Sequence, residues 1–218
     1  HAKIGVVPCG VDLELFYPMN QSAARRRLGC DPGETLALFV GRFDSMKGLD
    51  RLLEAMRYLK HRRHLRLVVV GGDGIHTPEG QTLLGLARNF GVEDSVAFAG
   101  RIEQKDLPVY YNAADAMVMP SYYESFGLVS LEALACGIPS VATPAGAMDT
   151  IIKEGQNGQL AANGDAKSPA KAIDKVTSTL SARSANAIRR TVPVVGWSNN
   201  AFAVIEEHEE TPAFGNLN

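Results

Sequence analysis

No stretch of this sequence stays apolar for the roughly eighteen residues that a helical bilayer span requires, and no signal peptide opens it, so an integral membrane protein is not expected. Cysteine is scarce. Cys9, Cys30 and Cys136 are odd in number, far apart and without CxxC spacing, which argues against a disulfide framework or a zinc site and for a reducing, cytoplasmic compartment. Charge of one sign is also lacking: a formal net charge of −2 gives no basis for general nucleic-acid binding, so any anion site must be local. No HxH, DxD or EF-hand spacing suggests a metal. Gly71-Gly72-Asp73-Gly74 does not reach the GxGxxG spacing of a dinucleotide fingerprint, which leaves a Rossmann oxidoreductase without its motif and makes this run a tight turn after a strand. There is no internal repeat, no low-complexity tract and no histidine placed convincingly for catalysis.

What is present is an alternation. Apolar runs at Thr35 to Val40, Leu65 to Val70, Ser95 to Ala99, Asp115 to Met119, Ile138 to Ala142 and around Gly158 to Ala161 read as strands. Between them, helical periodicity runs from Gly48 to His61, Thr82 to Phe90, Gln104 to Asn112, and from Phe126 or Gly127 onward. Strands apolar throughout and separated by helices predict a parallel sheet covered on both faces, an α/β doubly wound, Rossmann-like sheet. Before it, Lys3 to Pro18 reads as a short strand and connector, and Ser22 caps a helix that Gly29 ends. After it, a helix is expected from Ser168-Pro169 to about Ser181, and another from Ser198 to Glu206 that Trp197 packs onto the body.

The stretch from Ala116 to Ala147 carries Glu124 and Glu132 with seven residues between them. A helix starting near Gly127 leaves Glu124 in the loop ahead and Glu132 about one and a half turns inside, and eight residues of helix would span about 12 Å. The helix N-terminus between them favours an anion. Gly127 is small where a phosphate must come close. The loop after the first main strand, Gly41 to Gly48, adds Arg42, a planar fork of donors, and Lys47, a mobile point charge, a pair suited to a diphosphate. Parallel strands bring this loop and Glu124 to one edge, where Gly100-Arg101-Ile102 also emerges to offer backbone groups to a base. The whole reads as a holder for a nucleotide diphosphate sugar.

With these pieces placed, the chain resembles the C-terminal, donor-binding half of retaining glycosyltransferases of the GT-B fold, the large group that includes sucrose-phosphate synthases and glycosyltransferases of mycothiol synthesis. The motifs stand in order from Ile4 to Leu160: VVPCGVDLELFYP at the interdomain junction, GRFDSMKG, VVVGGDG, VAFAGRI, the aspartate-bearing YYNAADAMVMPS, and ESFGLVSLEALACGIPSVAT. The resemblance implies that Gly41, Arg42 and Lys47 meet the donor diphosphate and help stabilise the leaving group. It implies further that Glu124 holds hydroxyls of the transferred hexose, that backbone groups at Phe126, Gly127, Leu128 and Val129 meet the phosphates, that Glu132 takes the ribose hydroxyls, and that backbone atoms near Arg101 and Ile102 read the base. On the same ground Glu124, Arg42 and Lys47 are the catalytic candidates. No cofactor or metal is implied, and the donor substrate is a nucleotide diphosphate sugar, a UDP-sugar foremost.

The resemblance also sets the expected organisation. Residues 1–20 would be connector and first strand, 21–208 the donor domain, and 209–218, which lack apolar periodicity, a disordered tail. The acceptor would be held by an N-terminal half that this chain does not contain, leaving the chain alone able to bind donor weakly and transfer little. Peripheral association of the full-length enzyme with a membrane is compatible with this. Pro144 to Asp149 departs from the Gly-Gly-acidic pattern of the group, so no donor-binding role is carried over to that loop. An alternative of another class is a nucleotide-binding or scaffold module without transfer activity.

Overall fold

The computed structural model describes residues 9–62, 64–162, 164–180 and 183–192. The elements follow in chain order as α1 (Gln21–Leu28), β1 (Thr35–Val40), α2 (Leu49–Tyr58), β2 (Leu65–Val70), α3 (Pro78–Phe90), β3 (Val96–Gly100) and α4 (Leu107–Ala113). Then come β4 (Ala116–Met119), α5 (Leu128–Ala135), β5 (Ser140–Ala142), α6 (Met148–Ile151), β6 (Gly158–Leu160), α7 (Lys167–Thr179) and α8 (Ala185–Arg189). Six strands pair in the order β3-β2-β1-β4-β5-β6, every pair parallel.

Successive strand residues point to opposite faces, and both faces are buried. Phe39, Leu67, Val69, Val118 and Val141 join Leu52, Leu53 and Ile173 from α2 and α7 in one cluster. Leu38, Met117 and Met119 join Tyr111, Leu131, Leu134 and Ile188 from α4, α5 and α8 in the other. This is the doubly wound sheet expected from the continuous apolar strands. Its order reverses between β1 and β4, so the loops after those two strands flank the crevice where ligands of such sheets bind.

Differences from the expected elements lie at helix ends. The first helix is capped by Asn20, whose Oδ1 accepts from Ala23 N–H at 2.9 Å, not by Ser22. Helix α3 begins at Pro78, not near Thr82, because the Thr77 hydroxyl accepts from Gly80 N–H at 3.1 Å. The helix expected from Gln104 splits into a 3-10 turn, Gln104–Asp106, and α4. Helices α6 and α8, of 4 and 5 residues, were not expected, being too short for a periodic pattern. The expectations for a strand at Lys3, for Trp197, for a helix from Ser198 to Glu206 and for the tail 209–218 fall outside the described residues.

The aspartate of the YYNAADAMVMPS motif is a structural anchor. Asp115 Oδ2 accepts from Arg25 Nη2 at 2.6 Å and from Leu36 N–H at 2.7 Å, and Arg25 Nε donates to Ala113 O at 3.0 Å, joining α1, β1 and the start of β4. Arg189 of α8 makes a second clamp, donating to the carbonyls of Leu13, Phe16 and Ala135 and tying the incoming segment to the end of α5.

Candidate active site

The loop after β1 is shaped by Asp44, whose Oδ1 accepts from Met46 N–H at 2.9 Å and closes a 3-10 turn at Ser45–Lys47. Gly48 ends the turn at φ 68° and opens α2; a Cβ there would lie 2.1 Å from Pro120 O, so the loops after β1 and β4 touch. Met46 O accepts from Tyr122 N–H at 2.8 Å, stitching them again. The turn delivers Lys47 Nζ to Glu124 Oε2 at 2.8 Å, with side chains only 26% and 13% exposed. The ammonium expected at the phosphates and the carboxylate expected at the sugar are thus each other's partner. Arg42 by contrast reaches into solvent, its Nη2 3.4 Å from Asp44 Oδ2.

Helix α5 starts at Leu128 with Gly127 as its N-cap, and no side chain caps it. Its opening turn therefore keeps free N–H groups and the positive end of the helix dipole. Only part of the interval from Glu124 to Glu132 is helical, so the 12 Å span expected for eight helical residues does not apply. Gly127 also serves a purpose other than the one expected. At φ 86° it needs a glycine, and a Cβ would lie 2.3 Å from Met148 Cε, so its missing side chain admits Met148 of α6. The divergent Pro144 to Asp149 loop packs by the same means: a Cβ on Gly146 would strike Glu124 O at 2.5 Å and Ser125 O at 2.7 Å.

Two adjoining clefts lie along this edge. One, of about 370 Å³, is lined by Gly41, Arg42, Lys47, Glu124, Phe126, Gly127, Leu128 and Val129. The other, of about 640 Å³, is lined by Gly41, Arg42, Arg101 and Ile102 together with the Gly71-Gly72-Asp73 turn. Gly41 and Arg42 are common to both, so the clefts form one trough across the switch point. Every expected site residue borders it except Glu132. That side chain lines neither cleft; its Oε2 accepts from Tyr111 Oη at 2.6 Å.

Burial pushes the Glu132 carboxyl above its ordinary range, and the Tyr111 hydrogen bond pulls it partly back. The neighbouring Cys136 thiol is pushed up to about 12, first by burial and then by Glu132, and so stays protonated. Because folded Glu132 holds its proton to higher pH than unfolded Glu132, its contribution to stability is fully present below the ordinary carboxylate pKa and is lost as pH rises through the raised value. Glu132→Gln keeps an acceptor for Tyr111 and removes the ionisation. It is expected to leave Tm unchanged near pH 4 and to raise it near pH 7.5 by about 2–4 °C, as followed by calorimetric melts, a shift of order 1 kcal/mol for a chain of this size.

Sequence reasoning missed Arg51 and the contacts that two further residues make. Ser121 lines the first cleft, buried, with an Oγ that lacks a partner. Met148 shapes the helix tip, and Arg51 lies buried against Tyr122. The only signal for the last is a cation in the first turn of an otherwise apolar helix face. Among the described residues, no three His, Cys, Asp or Glu side chains gather as a metal site, and no helix is long and apolar enough to cross a membrane.

Comparison with known proteins gives the family. The chain is 39% identical over 224 residues to D-inositol 3-phosphate glycosyltransferase of Frankia alni, covering 97% of this chain and 54% of that one. The protein of the same name from Mycobacterium sp. (strain JLS) is 41% identical over 177 residues, 81% of this chain and 40% of that one. The chain thus spans about half the length of the curated relatives it matches. Among solved structures, sucrose-phosphate synthase from Thermosynechococcus elongatus superposes with a TM-score of 0.80 at 33% identity, covering 94% of this chain and 51% of that one. Anabaena HepE, solved in complex with UDP and glucose, shares the fold with a TM-score of 0.79 at 23% identity, covering 95% of this chain and 57% of that one. The family model of glycosyl transferases group 1 matches residues 20–191, and the chain belongs to that family.

Proposed function

We propose that this chain is the donor-binding half of a retaining glycosyltransferase that moves a hexose from a nucleotide diphosphate sugar, a UDP-sugar foremost, to an acceptor held by a second half. The observation that carries the reading is the convergence of Arg42, Lys47, Glu124 and the uncapped tip of α5 on one trough at the sheet's switch point. The naming of relatives about 40% identical as glycosyltransferases supports it. In this reading residues 21–208 form the donor domain and residues 1–20 lead into it.

The diphosphate lies over the free N–H groups of Leu128 and Val129, with Lys47 exchanging Glu124 for a phosphate oxygen and Arg42 swinging in from solvent. Together they stabilise the charge that develops as the glycosidic oxygen departs, so the residues suffice without a metal. Glu124, released, accepts from hydroxyls of the transferred hexose. The base occupies the wider cleft against Arg101 and Ile102. Glu132, which lines neither cleft, keeps Tyr111 on Oε2, and for its other oxygen to reach the ribose diol the trough must open toward α5 when the donor binds. A double-displacement hydrolase would need two carboxyl groups about 5–5.5 Å apart at one bond. Glu132 lies outside both clefts, so a same-face displacement, in which the departing phosphate takes the acceptor proton, fits better.

The test is a panel of UDP-, GDP- and ADP-sugars on the full-length protein, with the anomeric configuration of the product determined by NMR. Transfer from a UDP-sugar with retained configuration is expected, and UDP binding without turnover is expected of the isolated chain. Tight binding by the full-length protein with no transfer to any acceptor would make it a nucleotide-binding module instead.

A further inference from the structure

Arg51 is out of keeping with the helix that carries it. Helix α2 buries Leu49, Leu52, Leu53 and Met56, and Arg51 is buried among them, only 5% exposed. Its Nε and Nη1 are sealed from solvent without an acceptor. It also stands in the first turn, where the positive end of the helix dipole opposes a cation. A guanidinium with orphaned donors destabilises a site that an aliphatic side chain would suit better. What Arg51 does meet is the face of Tyr122, with Cζ 3.9 Å from the ring centroid, and desolvation strengthens such a cation–π contact.

Tyr122 is held from two further directions. Its Oη donates to Asp50 Oδ2 at 3.1 Å and its N–H to Met46 O at 2.8 Å. Two residues on stands Glu124, and next to Met46 stands Lys47, the two that pair across the cleft. We infer that Arg51 is a positioning residue: stacked on Tyr122, it fixes the loop from Ser121 to Gly127 so that Glu124 meets the transferred sugar at the right place. The inference rests on the transferase reading for its purpose, while the fastening itself stands on the geometry alone. A local penalty at Arg51 is retained because misplacement of a site group is costly to rate.

The variant Arg51→Met keeps the apolar stem and removes both the charge and the orphaned donors. In the full-length protein, Tm is expected to hold or rise. Amide exchange in residues 121–127 is expected to quicken severalfold, and kcat to fall about 10- to 100-fold, with donor KM and UDP affinity within about twofold of wild type. Tyr122→Phe, which keeps the ring, should stay near wild type. Tyr122→Leu should match Arg51→Met in loop exchange and kcat, though not in Tm because it leaves the buried guanidinium without its ring, and in kcat the double variant should add little to either. Unchanged loop exchange, or a drop in Tm with kcat and KM impaired together, would overturn the inference. A wild-type protein that transfers nothing would count against the transferase reading instead, and the loop exchange would then decide the fastening by itself.

Discussion

Replacing Arg42 and Lys47 together with alanine is expected to weaken UDP binding about 100-fold while leaving uridine binding within about twofold. A charged hydrogen bond contributes roughly 1.5–3 kcal/mol, and 1.4 kcal/mol is a factor of ten, so two such contacts could give more. The lower end applies here. Arg42 is 81% exposed and must be ordered from solvent, and Lys47 already has Glu124 at 2.8 Å, so its gain on meeting a phosphate is the difference between two ion pairs. Titration calorimetry with both ligands at two ionic strengths makes the check. Equal losses for UDP and uridine would remove the diphosphate from the trough. A UDP affinity that falls in high salt for wild type but not for the variant would locate it there.

Glu124→Gln is expected to separate binding from chemistry. In the full-length protein, kcat should fall about 100- to 1,000-fold, the size of effect seen when one polar group aimed at a transition state is removed. UDP affinity should hold or rise, because the substitution frees Lys47 from its partner. That combination cannot come from a general loss of structure. If UDP affinity falls in step with kcat, Glu124 is the anchor of Lys47 and not a contact of the sugar. Product analysis and calorimetry on the same preparation distinguish the two.

The sheet was legible in the sequence because burial on both faces leaves strands such as TLALFV and LRLVVV almost without polar interruption. The edge that carries the site followed from parallel pairing alone. Helix starts were less legible, since Asn20 and Ser22 have equal capping chemistry and only tertiary placement chose between them. That the candidates other than Glu132 border one trough could be read, but their partnerships could not. Lys47 and Glu124 meet across 77 positions, Tyr111 and Glu132 across 21, and no local pattern encodes which acid a given cation will face. The reason for Gly127 was likewise hidden, because it resides in a methionine on a helix too short to foresee.

The Lys47–Glu124 pair has a consequence for what an empty trough will accept. Free inorganic phosphate can satisfy the ammonium but abandons a largely enclosed carboxylate, and a lone sugar does the reverse. Only a molecule that presents an anion and a hydroxyl-bearing ring on one frame answers both ends when it parts them. The unliganded protein thus keeps its own charges occupied until such a molecule arrives, and inorganic phosphate or a free sugar alone is a poor competitor for the trough.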